Sequence, residues 1–494
     1  MRHIAGLAIT LLSFTGMTFS QSTESLKKIP ITTSSPEARN AYLQGRDLVD
    51  KLRTDEALPL LNEAIGKDPN FAMAYLLRTQ TAPSAKEFFA DLKSAVAAAD
   101  KVSEGEQLLI RAQEAFANGN SMEGGKDFQK LVAAFPDDQR AHESLAAFYQ
   151  GIQQDDKAIA ECQKAVHLAP DYAPVYNILG YSLRNAERYK EAEAALRKYI
   201  ELIPNEPNPY DSLAELLMKV GRFDESIESY KKALSLDPHF FSSYRGIAAN
   251  LMYEGKHKEA LEHLQKEYDL ALNDGDRDDA LRNMAVVYVD EGSFSEAIEK
   301  ISRSSSLAEQ RDDKPTMAFN ADTRGYLLLN EGKVDEAKAE FARALELSRQ
   351  SSIPDAMKKP FELGIDGRMA LVASAKKDFE DAKKDAELMR AGYEGLGNPR
   401  QVQVAQEVLG IVALDQNNYD EAIAHLTEAN LQSPYVMFQL AKAYAGKKDA
   451  ARAADYYRKA ADADTLPELQ YALVRKQAKE ALGKSTDKSA TLAR

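Results

Sequence analysis

The sequence predicts an all-α solenoid, which is a stack of antiparallel helical hairpins. Pro170, Pro204 and Pro238 lie 34 residues apart, and the segments between them repeat one apolar pattern. A fixed period of that length is typical of stacked helical-hairpin arrays. The chain also lacks the runs of alternating apolar and polar residues that mark half-buried strands. We therefore expect helices throughout and no β domain.

The regular units begin at Gln139, Ala173 and Pro207. The pattern of each unit predicts two short helices. A large residue is followed by a small one in every first helix, at Leu145-Ala146, Leu179-Gly180 and Leu213-Ala214. Small residues let two helices approach closely. The prolines end the second helices because proline has no N–H to donate and crowds the preceding turn. One hairpin cannot bury both of its apolar faces, so neighbouring hairpins must stack.

This spacing of small, large and proline positions resembles the tetratricopeptide repeat. The resemblance is most specific over 139–240, good over 403–467, and degenerate over 72–104 and 351–400. Extending the register along the chain predicts about ten hairpins. The resemblance implies a right-handed superhelix whose first helices line a concave groove. It also implies that ligands, often extended peptides or helices, lie in that groove.

The register divides the predicted array into consecutive parts. N-terminal units, partly degenerate, span 38–138, regular units span 139–274, and units with irregular spacers span 275–467. Residues 468–494 predict a capping helix and tail, because a solenoid needs a polar outer face at its end. The turns between the two helices of later hairpins are expected at glycines, namely Gly255, Gly292 and Gly332.

The N-terminal residues differ in composition from the rest of the chain. A basic start and an apolar stretch over 4–14 precede small residues that end at Ser20. This pattern predicts a secretory signal peptide over 1–20, with an uncleaved anchor as the alternative. Residues 21–37, rich in Ser and Thr, predict a flexible tether. The mature chain is then expected to be exported without membrane insertion, either periplasmic in a Gram-negative bacterium or secreted.

Charge and cysteine content narrow the expected partners. The 494 residues carry a formal charge of −14, which argues against nucleic acid and anionic membranes because both need basic patches. This charge favours cationic or neutral partners. The lone Cys162 lies at an inward position and is expected to act as a small apolar residue, with a redox or nucleophilic role as the alternative.

No catalytic arrangement is evident from residue spacing. The chain has seven histidines, and the nearest pair, His257 and His263, lacks the i, i+4 spacing of a zinc-protease helix. The Gly483-Lys484-Ser485 segment lacks the upstream glycine of a phosphate-binding loop. We therefore predict no catalysis, no metal site and no cofactor.

The helical period places certain residues of each first helix on the concave face, where a protein or peptide partner would lie. Over 139–172 these are Arg140, Glu143, Ala147 and Gln150. From the following units we predict a polar partner site formed by Asn177, Tyr181, Arg184, Asp211, Glu215, Arg245 and Met252.

Further along, the corresponding positions turn apolar, at Phe319, Tyr326, Leu329, Leu371, Val404, Ile411, Leu414, Tyr435 and Phe438. Such a stripe either binds a partner helix or packs internally as the superhelix curls, and the sequence does not separate these alternatives. We expect a non-enzymatic, exported protein-binding scaffold. A glycan-binding or small-molecule-binding module of the cell envelope is the alternative, although that function would favour Trp platforms and the chain has no Trp.

Overall fold

The computed structural model describes residues 27–82 and 85–492, in which 25 α-helices and no β-strand occur. The first helices of the hairpins are α1 (Pro36–Asp50), α3 (Ala72–Arg78), α5 (Glu104–Ala117), α7 (Gln139–Gly151), α9 (Ala173–Asn185), α11 (Asn208–Lys219), α13 (Ser242–Tyr253), α15 (Asp274–Glu291), α17 (Lys314–Asn330), α19 (Asp355–Ala375), α21 (Pro399–Asp415) and α23 (Pro434–Gly446).

The second helices pack antiparallel against them. They are α2 (Thr54–Lys67), α4 (Ala85–Ala98), α6 (Ser121–Ala134), α8 (Asp155–Leu168), α10 (Tyr189–Leu202), α12 (Phe223–Leu236), α14 (His257–Leu270), α16 (Phe294–Gln310), α18 (Val334–Gln350), α20 (Phe379–Leu396), α22 (Tyr419–Glu428) and α24 (Ala450–Ala461). A final helix, α25, spans Leu469–Leu492. The predicted α-solenoid is confirmed. It has twelve hairpins in its described part, more than the predicted ten, and the degenerate stretch 72–104 supplies one of them as α3 and α4.

One residue in the left-handed region makes the turn inside a typical hairpin. Gly255, Gly292 and Gly332 have φ of +77°, +99° and +79°, which confirms the prediction that these glycines are turn residues. Elsewhere a non-glycine residue takes the same conformation, as Gln153 does with φ of +58°. A side chain there costs roughly 1–2 kcal/mol, so packing of the helices, not turn chemistry alone, must hold these hairpins closed.

Small residues on the first helices allow the close approach that the repeat requires. Ala146 and Ala214 are completely buried. A Cβ added at Gly180 would lie 2.5 Å from a methyl carbon of Leu196 on the paired helix. The sequence positions assigned to small residues are therefore the positions where the two helices of a hairpin touch.

The C-terminal end of the array folds back onto its middle. Helix α25 packs against α24 and against the first helices α15 and α23. Arg475 pairs with Asp290 on α15 at 3.0 Å and donates to the carbonyl of Met252 on α13 at 2.9 Å. Exposed polar residues at 476, 477, 479 and 480 form the expected polar outer face of α25. Its other face fills the concave side of the middle hairpins.

The described chain begins with an extended segment, 27–35, that is docked on the array. The backbone N–H of Ile29 donates to Asp138 at 2.9 Å, and that of Thr32 donates to Glu106 at 2.7 Å. These bonds hold the second part of the stretch that was predicted to be a flexible tether. The predicted signal peptide lies outside the described residues. Among the residues that are described, no helix combines the length and hydropathy needed to cross a bilayer.

Candidate binding surfaces

The predicted polar site forms an internal ladder that links α9, α11 and α13. Asn177 accepts a hydrogen bond from the Ser212 hydroxyl at 2.9 Å. Arg184 pairs with Glu215 on the next first helix at 2.9 Å. Its guanidinium also lies 4.5 Å from the centre of the Tyr181 ring. The structure thus brings these predicted residues together, but they satisfy one another.

Asp211 continues the ladder to α13. Its carboxylate accepts from the hydroxyls of Ser243 and Ser242 at 2.6 and 3.1 Å. Burial, together with the nearby charge of Glu215, raises the pKa of Asp211 to about 7. This carboxyl therefore contributes more to packing between hairpins than to a solvent-facing recognition surface.

The last two predicted site residues, Arg245 and Met252, both lie on α13. Arg245 is half-buried, and its Nε has no hydrogen-bond partner among the described residues. Met252 is completely buried and lies against Arg475 of α25. The helical period correctly places Met252 on the concave face. It does not reveal that a helix more than 200 positions later covers that part of the face.

The apolar stretch of the C-terminal hairpins is largely packed within the protein. Five of its nine residues are buried, namely Tyr326, Ile411, Leu414, Tyr435 and Phe438. The Phe438 ring lies edge-on to Tyr457 at 5.7 Å. Only Phe319 and Val404 are well exposed. Of the two alternatives that the sequence left open, internal packing therefore accounts for most of this stretch.

A larger open surface lies at the other end of the array. A cavity of about 620 Å³, here called the N-terminal groove, is lined by α1, α3, α5 and α7, by α6 and by the extended residues 29–31. Its apolar lining consists of Tyr42, Val49, Met73, Leu76, Leu77, Leu109, Phe116, Phe128, Phe148, Ile152 and Ile178. Asn398, at the start of α21, also lines the groove, so the chain curls enough to bring a late hairpin beside the first four.

A set of paired polar groups forms one side of the N-terminal groove. Arg140 on α7 makes a two-point ion pair with Asp50 on α1, with one N···O distance of 3.1 Å. The same guanidinium lies 4.9 Å from the centre of the Tyr172 ring. The Tyr172 hydroxyl donates to Glu143, and burial raises the pKa of Glu143 to about 6. These contacts fix the polar side of the groove before any partner binds.

Arg46 is the one cation lining the N-terminal groove that lacks an acidic partner among the described residues. Its guanidinium lies 5.6 Å from the centre of the Tyr42 ring, and no carboxylate approaches within 4.0 Å. It is half-buried. The lining also holds Arg140 and four carboxylates, namely Asp50, Glu106, Asp138 and Glu143, so its formal charge is negative even with Arg46 included.

The sequence alone predicts some of the residues that line this groove. Arg140, Glu143 and Ala147 were assigned to the concave face by the helical period, and all three line the cavity. The contribution of Met73 and Leu77 was missed because they belong to the degenerate stretch. There the repeat is too weak to define a register, and α3 is only seven residues long.

Two of the described histidines pair with carboxylates, and the cysteine is buried. His142 bonds to Glu161 at 2.6 Å, and His257 bonds to Asp290 at 2.8 Å. Cys162 is completely buried, and burial raises the pKa of its thiol. Within the residues that the structure describes, no group of three or more His, Cys, Asp and Glu side chains could hold a metal ion.

Family models of the tetratricopeptide repeat match both halves of the chain. The matched segments are 111–173, 173–206, 207–240, 323–351 and 407–466. No curated protein matches the chain.

Several solved structures are similar to parts of the chain. A crystal structure of MamA is 24% identical and has a TM-score of 0.29, with 33% of this chain and 92% of that chain covered. The Cut9 and Hcn1 hetero-tetramer of the APC/C is 15% identical with a TM-score of 0.42, covering 89% and 76%. A tetratricopeptide repeat protein from Parabacteroides merdae is 16% identical with a TM-score of 0.35, covering 55% and 94%.

Proposed function

Because the chain is a tetratricopeptide-repeat protein, we propose that it is a non-catalytic scaffold that binds protein or peptide partners, and that the N-terminal groove is its binding site. The observation that carries this proposal is the apolar concave lining contributed by four consecutive hairpins. The groove's volume of about 620 Å³ lies within the usual range for ligand sites. The polar stretch first predicted over α9 to α13 is the less favoured site, because its groups already pair with one another.

Burial of apolar side chains would supply most of the affinity. Each Leu-sized or Phe-sized side chain that a partner buries contributes about 1.5–3 kcal/mol before the costs of association. Because association itself costs about 4 kcal/mol or more, a partner must bury several such side chains to form even a transient complex. The lining carries four carboxylates but only two guanidinium groups, Arg46 and Arg140, so it favours a partner segment that is neutral or basic beside its apolar residues.

The docked segment 27–35 supports the proposal, because it is held in the way that an extended peptide would be. Its backbone N–H groups donate to carboxylates at the starts of α5 and α7, which are Glu106, Asp137 and Asp138. Ile29 and Ile31 of this segment line the groove. A partner strand or helix lying beside them would extend a surface that already binds main chain.

Site-specific photo-crosslinking tests the assignment. A photoreactive amino acid at Gln113, which lines the groove, is expected to trap a discrete partner in native extracts. The same amino acid at Lys126, which is exposed on the second helix α6, is expected to trap none. Mass spectrometry of the trapped species then identifies the bound segment, which should be apolar and should not be acidic.

A pair of matched substitutions separates groove binding from nonspecific capture. Ala147 is exposed in the groove, whereas Ala160 is exposed on the second helix α8. Ala147→Trp fills the groove without touching the core and is expected to abolish the crosslink at 113. Ala160→Trp is expected to leave it intact. A crosslink that survives Ala147→Trp would contradict the groove assignment.

We also propose that the mature protein is exported, on the basis of the signal-peptide pattern over 1–20. The test is N-terminal sequencing of protein recovered from fractionated cells. The expected N-terminus is Gln21 in the exported fraction, and a full-length chain confined to the cytoplasm would contradict export.

A further inference from the structure

A second cavity, of about 330 Å³, lies between the C-terminal hairpins and is distinct from the N-terminal groove. It is lined by α17, α19, α20, α21 and α23 and by the start of α25. The proposed scaffold function makes no use of it. Most of its lining is apolar, which makes its few charged groups decisive for what it could bind.

The charges that line this cavity do not balance. Arg368 pairs with Asp322 through two N···O contacts of 2.9 and 3.2 Å, and its guanidinium lies 4.6 Å from the centre of the Tyr326 ring. This cation is therefore neutralised and held in place. Glu407 is the second carboxylate, and it has neither an ion pair nor a hydrogen bond to any described residue. The lining thus carries one excess negative charge when Glu407 is ionised.

Aromatic rings surround that charge. Tyr326, Tyr393, Tyr435 and Phe361 all line the cavity. The Tyr393 hydroxyl donates to the carbonyl of Pro360 at 3.0 Å, which fixes the position of its ring. Aromatic faces attract cations, and a cation taken out of water between rings gains most when a carboxylate is also present.

We propose that this cavity binds a monovalent organic cation, a primary ammonium group on an apolar chain, with Glu407 as its counter-ion. The cavity volume suits a ligand of a few carbon atoms. The same chemistry occurs in a free alkylamine and in a lysine side chain of a partner. A carboxylate ligand is disfavoured because the excess charge of the lining is negative.

Because Glu407 is buried, the proposal also predicts that ligand binding depends on pH. Burial raises the pKa of Glu407 to about 7, with Arg368 acting to lower it and Glu468 to raise it. The other titratable groups that line the cavity are Asp322, Tyr326, Tyr393 and Tyr435. An ammonium ion favours the ionised carboxylate, so binding should release a proton and should strengthen as pH rises from 6 to 8.

Isothermal titration calorimetry with n-butylamine tests the proposal on the full chain. Butan-1-ol and butyrate serve as neutral and anionic ligands of similar size. We expect butylamine to bind at least tenfold more tightly than either, and tenfold more tightly at pH 8 than at pH 6. Titrations in buffers of different ionisation enthalpy should show proton release.

Variants locate the site and control for folding. Glu407→Gln keeps the side-chain shape and should weaken butylamine binding at least tenfold. Glu428→Gln removes an exposed carboxylate on α22, outside the lining, and should bind as the parent does. Val404→Trp blocks the cavity from a position that is 44% exposed and should also abolish binding. Circular dichroism checks that each variant folds.

The outcomes are separable. Binding of butylamine but not of a capped lysine tripeptide supports a free amine as the ligand, and binding of both supports a partner lysine. Equal binding of butanol and butylamine, or unchanged binding by Glu407→Gln, overturns the proposal. No binding by any amine does so as well. None of these results bears on crosslinking at position 113, so the two proposals can fail independently.

Discussion

The substitution Gly246→Ala tests whether close helix packing holds the middle hairpins together. Gly246 lies on α13 and faces the ring of Tyr230 on α12. A Cβ added there would lie 2.1, 2.4 and 2.5 Å from three carbon atoms of that ring. One methyl group is therefore expected to disturb the contact between two successive repeats.

The size of the effect follows from these distances. Carbon atoms in contact lie about 3.5–4.0 Å apart, so the ring must move by more than about 1 Å. Tyr230 is only 1% exposed, so its ring cannot move toward solvent without displacing its neighbours. Overpacking of this kind costs about 1–3 kcal/mol, and we expect the upper value, about 3 kcal/mol.

The assay is local because repeat arrays do not unfold in a single step. Native-state hydrogen exchange of the α12 and α13 amides should accelerate about 100-fold, since each 1.4 kcal/mol is a factor of ten. Gly66→Ala is the matched control, because Gly66 is exposed on α2 with nothing within 4 Å of its added Cβ. That change should stabilise the helix by about 0.5–1 kcal/mol and should therefore slow amide exchange in α2 slightly.

A second substitution identifies the cause of the loss. Tyr230→Leu shortens the side chain that the new methyl group meets. In the Gly246→Ala background it should restore part of the lost stability, although it is destabilising alone because it leaves a cavity. Exchange at the parent rate in Gly246→Ala would refute the packing argument.

Three further predictions concern buried polar groups. The pKa of Asp211 is raised from 3.8 to about 7, so the folded protein binds this proton more tightly than the unfolded chain does. The free energy of unfolding should therefore fall as pH rises from about 4 to 7. In denaturant titrations at successive pH values, Asp211→Asn should reduce this dependence on pH. The Cys162 thiol should resist alkylation in the native protein and should react once guanidinium unfolds the chain, which mass spectrometry would record as a mass shift. Rapid labelling of the native protein would contradict the burial of this thiol. Arg475→Ala should release the first half of α25 to proteolysis by removing its ion pair to Asp290, whereas Lys476→Ala on the exposed face should leave cleavage unchanged.

Contacts within one hairpin could be predicted from the sequence, whereas contacts between distant hairpins could not. The packing of Gly180 against Leu196 is local within one hairpin, and a 34-residue period reveals it directly. The contact of Met252 with Arg475 joins positions 223 residues apart, and no periodic pattern encodes it. The same distinction explains why the helical period placed Met252 on the concave face but gave no sign that it is covered.

The candidate sites follow the same rule. Arg140 and Glu143 sit in a regular unit, so their concave position could be predicted. Asp50, the ion-pair partner of Arg140, lies 90 residues earlier, in a unit whose sequence is less regular. Glu407 could not be recognised as an unpaired carboxylate from sequence, because its isolation depends on which groups six separate helices bring around it.

Because α25 is synthesised after the hairpins that it contacts, its attachment to the middle of the array affects how the chain folds during synthesis. Arg475 is the 223rd residue that the ribosome adds after Met252. At about 5–20 residues per second this takes roughly 10–45 s. The early hairpins can fold during that time from their own local contacts. Until Arg475 is added, Met252 and Tyr253 lack their contacts with α25, so this part of the nascent chain is less protected than in the complete array.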